Sequence, residues 1–262
     1  MQDILIVGNI TKDVYLRLDD HKNHFEKDQD DVDWLDFAFN GDTHEFFSRV
    51  AVFGGSAITK EVFTNFEINF SVSLASTEQK PIHRYILCHG DAPHYLSPIE
   101  FTRNKWVNPK NPPSWIYLDR SANITIDFVN DLVNYLEHHP EVKLSTFVHK
   151  YANINAPYFI DLLKRSTLII SDTKSKFPPH IQILNNRVLC QNNTLSWAKK
   201  EKEDISTHLT INQTLASTIF AALLRGNTVE KALKIGVANL ELSTLNSTAS
   251  LEMIQQYIEE NR

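Results

Sequence analysis

Gly8-Asn9 and Gly54-Gly55-Ser56 are the residues of this chain whose types and spacing best suit a ligand held against backbone. Glycine has no Cβ, so main-chain N–H groups beside it can close on a bound group, an anion above all. The chain has only seven glycines in 262 residues, and none between Gly90 and Gly226. Phosphate-cradling proteins of the α/β class line such loops with glycine, so one half of a site is written here and the other half is missing. Asp119-Arg120 is a second candidate, because it follows the apolar run Trp115-Ile116-Tyr117-Leu118. Open α/β sheets place ligands at that end of a strand. Arg120 there either faces an anionic or polyhydroxyl ligand or makes an ordinary ion pair. His138-His139 cannot share a helix face and reads as a favourable charge at a helix C-terminus. The acidic stretch Glu26 to Asp33 lacks the D-x-D-x-D-G spacing of a calcium loop and reads as a solvated turn. No G-x-S-x-G, H-E-x-x-H or Walker sequence is present, which leaves hydrolase, metalloprotease and P-loop chemistry without support.

The elements that position these residues follow from hydrophobic spacing. Ile4 to Val7 is a continuous apolar run and predicts a buried strand opening at Gly8. Val14, Leu16 and Leu18 alternate with polar residues, as do Leu35 to Phe39, and Phe46 to Phe53 supplies a further strand. A helix begins after Gly55, and Ile68 to Leu74 is the next strand. Arg84 to Cys88 and His94 to Leu96 pair around a turn at Gly90. Ile126 to His138 has helical spacing through Phe128, Leu132, Val133 and Leu136. Strands at 145–149, 167–171 and 187–190 then alternate with a helix over 157–165. Three helices, roughly 209–225, 228–245 and 249–260, close the chain. Repeated strand–helix units predict an α/β fold: a mainly parallel central sheet covered on both faces.

A net charge of −6 argues against a nucleic-acid surface. The two cysteines, Cys88 and Cys190, offer neither a disulfide framework nor a zinc site. The start lacks the basic and apolar regions of a signal peptide, and no apolar run reaches a membrane span, so the expectation is a cytoplasmic protein without membrane or nucleic-acid partners.

Taken in order, Ile4-Leu5-Ile6-Val7-Gly8-Asn9-Ile10-Thr11-Lys12-Asp13 and Phe53-Gly54-Gly55-Ser56-Ala57-Ile58-Thr59 resemble the ribokinase-like, or PfkB, carbohydrate kinases. They match a first strand running into G-[NS]-x-x-x-D, a small β lid, and a helix opening on two glycines. Phe220 to Leu233 resembles the helix pair after that family's nucleotide loop. The resemblance covers nearly the whole chain. It implies one ribokinase-like three-layer domain over 1–262, with a β lid over 14–52 that 84–101 can join.

The resemblance also implies roles. Asp13 would accept hydroxyl hydrogen bonds from a sugar or nucleoside, with Asn9, Gly54 and Gly55 against the same ligand. Thr59 stands where the family often has asparagine, and Arg120 joins these as a candidate contact. The family's D-T-x-G-A-G-D falls on Thr207 to Gln213, which has no glycine. Gln213 stands at the general-base position with Asn212 beside it, and an amide takes no proton from a hydroxyl near neutral pH. His208 is a poor substitute, being more than one helical turn away. The magnesium-linked N-x-x-E falls on Asp172 to Ser175, which lacks the glutamate. The glycine-bearing turn falls on Gln191 to Thr194, which lacks glycine. No intact catalytic residue or metal ligand is expected. The first reading is therefore a pseudokinase that binds a sugar- or nucleoside-like molecule with weak or no phosphotransfer. The second is an active carbohydrate or nucleoside kinase with an unorthodox centre; only then are ATP and Mg2+ its cofactors. The third is a structural or regulatory protein that forms a homodimer through the lid.

Overall fold

The computed structural model describes residues 3–18, 46–74, 82–89, 92–95, 102–103, 105–119, 123–148, 156–172, 179–184, 187–190, 193–196, 206–243 and 248–261. Its centre is an eight-stranded sheet. β1 (Ile4–Gly8) lies between β4 (Phe70–Leu74) and β8 (Trp115–Leu118), and the sheet continues through β10 (Lys143–Val148), β11 (Leu168–Ser171) and β12 (Ile181–Leu184). These six strands run parallel, in the register Ile4↔Phe70 and Ile4↔Trp115 at the centre. Two strands at one side, β13 (Arg187–Cys190) and β14 (Asn193–Ser196), are antiparallel additions. A four-stranded sheet is separate from it. There β2 (Ile10–Leu18) pairs with β3 (Phe46–Gly55) antiparallel and with β5 (Ile82–His89) parallel, and β6 (Ala92–Tyr95) completes the order β3-β2-β5-β6. Two short strands, β7 (Thr102–Arg103) and β9 (Asn123–Ile124), form a third small pairing.

Alternation along the central strands divides the interior in two. Ile4, Ile6 and Tyr117 face one apolar cluster; Leu5, Val7, Ile116 and Leu118 face the other. The first cluster packs α1 (Ser56–Asn65), α4 (Ser206–Leu224), α5 (Val229–Leu242) and α6 (Leu251–Glu260). The second packs α2 (Ile126–His138) and α3 (Pro157–Arg165). The architecture is therefore three-layered, as the strand–helix alternation predicts. Within α2 the apolar spacing turns Phe128, Leu132 and Leu136 inward, and Thr125 caps the start by accepting a hydrogen bond from the Phe128 amide. Around Phe220 the first cluster is aromatic: its ring stacks on Tyr117 with centroids 4.9 Å apart and meets the Trp115 ring edge-on at 5.3 Å.

α5 packs closely against α4, and Gly236 makes that approach possible. A Cβ there would lie 2.7 Å from Ile219 Cγ1 and 3.3 Å from Leu215 Cδ2. Gly236→Ala should therefore cost about 1–3 kcal/mol through overpacking, even though alanine favours helix. Urea unfolding of the two proteins measures it.

Three helices close the chain as expected, with α4 starting at Ser206 rather than 209 and α5 ending at Leu242 rather than 245. The strands at 181–184 and 193–196 were not expected. The alternating stretch 35–39, the acidic turn 26–33 and residues 96–101 lie outside the described residues. No helix among the described residues is long and apolar enough to cross a membrane.

Candidate functional site

The C-terminal ends of β1 and β8 meet side by side, because the Asp119 amide donates to Val7 O at 2.8 Å and so extends their pairing. From β1 the chain passes through Gly8 and the buried Asn9 into β2. The return strand β3 pairs Gly54 with Thr11 and Gly55 with Ile10, and brings the start of α1 back to the same point. Gly55 turns that corner at φ 59° and ψ −136°, a combination that a side chain strongly disfavours. The Ser56 amide then donates to Asn9 O at 2.8 Å, which closes the junction.

Ser56 and Thr59, three residues apart on the first turn of α1, present both hydroxyls to the end of β8. Ser56 Oγ donates to Asp119 Oδ2 at 3.1 Å and Thr59 Oγ1 donates to the same oxygen at 3.0 Å. Gln213 comes from α4, which packs against α1. Its Nε2 donates to Asp119 Oδ2 at 2.6 Å and to Thr59 Oγ1 at 2.9 Å. None of the four residues is more than 1% exposed. These bonds fix the orientation of the carboxamide, and its Oε1 is left as a buried acceptor without a partner. Such an atom costs roughly 1–3 kcal/mol, so the two bonds that Nε2 makes on the other side of the group must outweigh it. Thr11 Oγ1, on the strand beside Gly54, is likewise buried without a partner.

Gln213, which the resemblance sets at the general-base position, has surroundings that are not those of a phosphate loop. The segment Thr207 to Gln213 is not a loop; it is helical from Ser206 onward. The amides of residues 210–213 lie within the helical ladder, each bonded to the carbonyl four residues earlier. Anion binding at a helix start requires free amides of the first turn, and Gln213 lies nearly two turns further in. These residues do not fit a cradle for transferred phosphate at this point. Asn212, beside it, donates from Nδ2 to Asp172 Oδ2 at 3.0 Å, at the end of β11.

Of the other expected contacts, Asp13 lies on β2 opposite Val52 and beside Arg84 of β5, in the strand that leaves the site. Arg120, Thr173 to Ser175 and Gln191-Asn192 lie outside the described residues. His138 Nδ1 is 2.8 Å from Asn134 O at the end of α2, while the His139 ring lies on Tyr135. No cluster of three metal-ligating side chains occurs among the described residues. The residue that sequence reasoning left undecided is Asp119. The sequence shows it only as a strand-end carboxylate, and the donors from Ser56, Thr59 and Gln213 lie 63, 60 and 94 positions away.

No family model matches the sequence, and no curated protein matches it. Solved structures do match. The chain is similar to a ribokinase from Arabidopsis thaliana complexed with ribose and ATP, at a TM-score of 0.62 and 10% identity, over 98% of this chain and 99% of that one. It is similar to a ribokinase from Cryptococcus neoformans in complex with ADP, at a TM-score of 0.64 and 10% identity, over 99% of both chains. A phosphofructokinase-2 mutant from Escherichia coli matches at a TM-score of 0.60 and 9% identity, over 100% of both. The fold is therefore that of the ribokinase-like, PfkB-type carbohydrate kinases. A fold in common does not carry activity with it.

Proposed function

We propose that this protein binds a neutral sugar- or nucleoside-like molecule between the main sheet and the small sheet, which acts as its lid, and that it transfers phosphate weakly or not at all. The observation that carries the reading is Gln213: a buried carboxamide at the base position, bonded to Asp119 and Thr59 within an unbroken helix. An amide cannot remove the proton of an attacking hydroxyl, and helical amides cannot hold the phosphoryl group in flight. The ligand half is supported by a different set of residues. Gly54, Gly55 and Asn9 meet where β1, β2 and β3 join α1, with Asp13 further along β2. The similar ribokinases are in complex with ribose and ATP, and with ADP, and of these ligands ribose is the kind this junction suits.

Thermal unfolding with ribose, fructose and adenosine, and separately with ATP and magnesium, tests the reading. One of the neutral compounds should raise the midpoint saturably, and ATP with magnesium should leave it unmoved. Gln213→Asp should yield no ATP-dependent phosphorylation of any of them, because a carboxylate alone rebuilds neither the loop nor its free amides. A saturable ATP response, turnover at the rate of an ordinary sugar kinase in the unsubstituted protein, or large turnover in Gln213→Asp would overturn the proposal.

A further inference from the structure

Three donors from two helices converge on one oxygen. Ser56 Oγ, Thr59 Oγ1 and Gln213 Nε2 all donate to Asp119 Oδ2, and every member is buried. The donors owe their positions to α1 and α4, which pack on each other and share the core around Phe63 and Phe220. Asp119 comes from neither helix; it reaches in from the end of β8. Donors held by one part of a fold and closed on an acceptor from another make a cradle whose shape does not depend on that acceptor. Preorganised donors around a single oxygen are also the arrangement that binds an oxyanion or a polar oxygen most strongly in a dry site.

We propose that Ser56, Thr59 and Gln213 form a binding cradle for a ligand oxygen, held closed by Asp119 as an occupant from the same chain. The chemistry it takes is an acceptor: a carboxylate or the oxygen of a polyol, and not a cation. Where the cleft binds a sugar- or nucleoside-like molecule, the reading on which this part rests, a ligand oxygen and Asp119 compete for the same three donors. Ligand entry then requires Asp119 to swing out, and the described state is the self-occupied one.

Removing the carboxylate and supplying it from solution tests the cradle without any natural ligand. Asp119→Ala lacks a group the size of formate, and Asp119→Gly lacks one the size of acetate. Thermal unfolding of Asp119→Ala in sodium formate, against sodium chloride at equal ionic strength, should show a saturable rise of about 3 °C or more. The unsubstituted protein should show no such difference. An equal midpoint in the two salts for the variant, or an equal shift in both proteins, overturns the cradle. If the alanine variant does not fold in chloride, refolding in formate, and of Asp119→Gly in acetate, reads the same site. Recovery supports it, and failure in both overturns it. In the ligand titration, Asp119→Ala should bind the responding compound at least about tenfold more tightly than the unsubstituted protein, and equal affinity overturns the competition. A formate response with no ligand binding in either protein upholds the cradle and sinks the reading under Proposed function.

Discussion

Asp119→Ala should lower the unfolding free energy by roughly 3–5 kcal/mol, measured by urea denaturation in chloride buffer. The substitution strands the Ser56 hydroxyl, the Thr59 hydroxyl and the Gln213 amide, all in a region from which water is excluded. Each orphaned donor costs about 1–3 kcal/mol, partly offset because a buried charge no longer has to be desolvated. Asp119→Asn keeps an acceptor oxygen and should cost less, about 1–2 kcal/mol. Asp161 provides the contrast. Its carboxylate pairs with Lys164 at 3.1 Å on the outside of α3, with both side chains more than 60% exposed. Asp161→Ala should change stability by no more than about 0.5 kcal/mol. If the two alanine variants prove equally stable, the buried cluster does not hold α1, β8 and α4 together.

That difference between two aspartates also marks how far the sequence could be read. Elements with a local cause were legible. Trp115 to Leu118 is a strand because four consecutive apolar residues must be buried on both faces. Residues 126–138 form a helix because Thr125 caps them and Phe128, Leu132 and Leu136 recur on one side. The strand Asn193–Ser196 was not legible, because it is polar apart from Leu195 and pairs only at the side of the sheet. The start of α4 was read three residues late, since Ser206 to Leu209 lacks a strong helical signal and lies before the apolar run that anchors the helix. The glycine corner was visible, because only a particular residue type suits φ 59°. The partners of Asp119 were not. Its hydrogen bonds arise from three segments that meet only after the sheet has been assembled. No spacing within any one of them records the meeting. Counting along the chain singled out Gln213, but what it bonds to could not be read there.

Gln213→Glu makes the strongest use of that placement. It is nearly isosteric, so packing is preserved, yet it exchanges a donor 2.6 Å from Asp119 Oδ2 for an oxygen. Two carboxylates at that distance cannot both ionise in a buried site; one proton is held between them. The folded-state pKa of the introduced carboxyl is thereby raised above its unfolded value of about 4.3. The folded state then binds more protons than the unfolded state over the interval between those two values. Stability follows the difference in protons bound, so it must fall as pH rises across that interval, by up to about 1.4 kcal/mol per pH unit. Below about pH 4 the variant should lie near the unsubstituted protein measured at the same pH, because the proton replaces the lost donor. At pH 7 it should be less stable by about 3 kcal/mol or more. The measurement is the difference in urea midpoints between the two proteins from pH 4 to pH 8. A constant difference would mean that the new carboxyl escapes to solvent and that Gln213 is not confined against Asp119. A difference that widens with pH places the Gln213 carboxamide inside the packed interior, against Asp119.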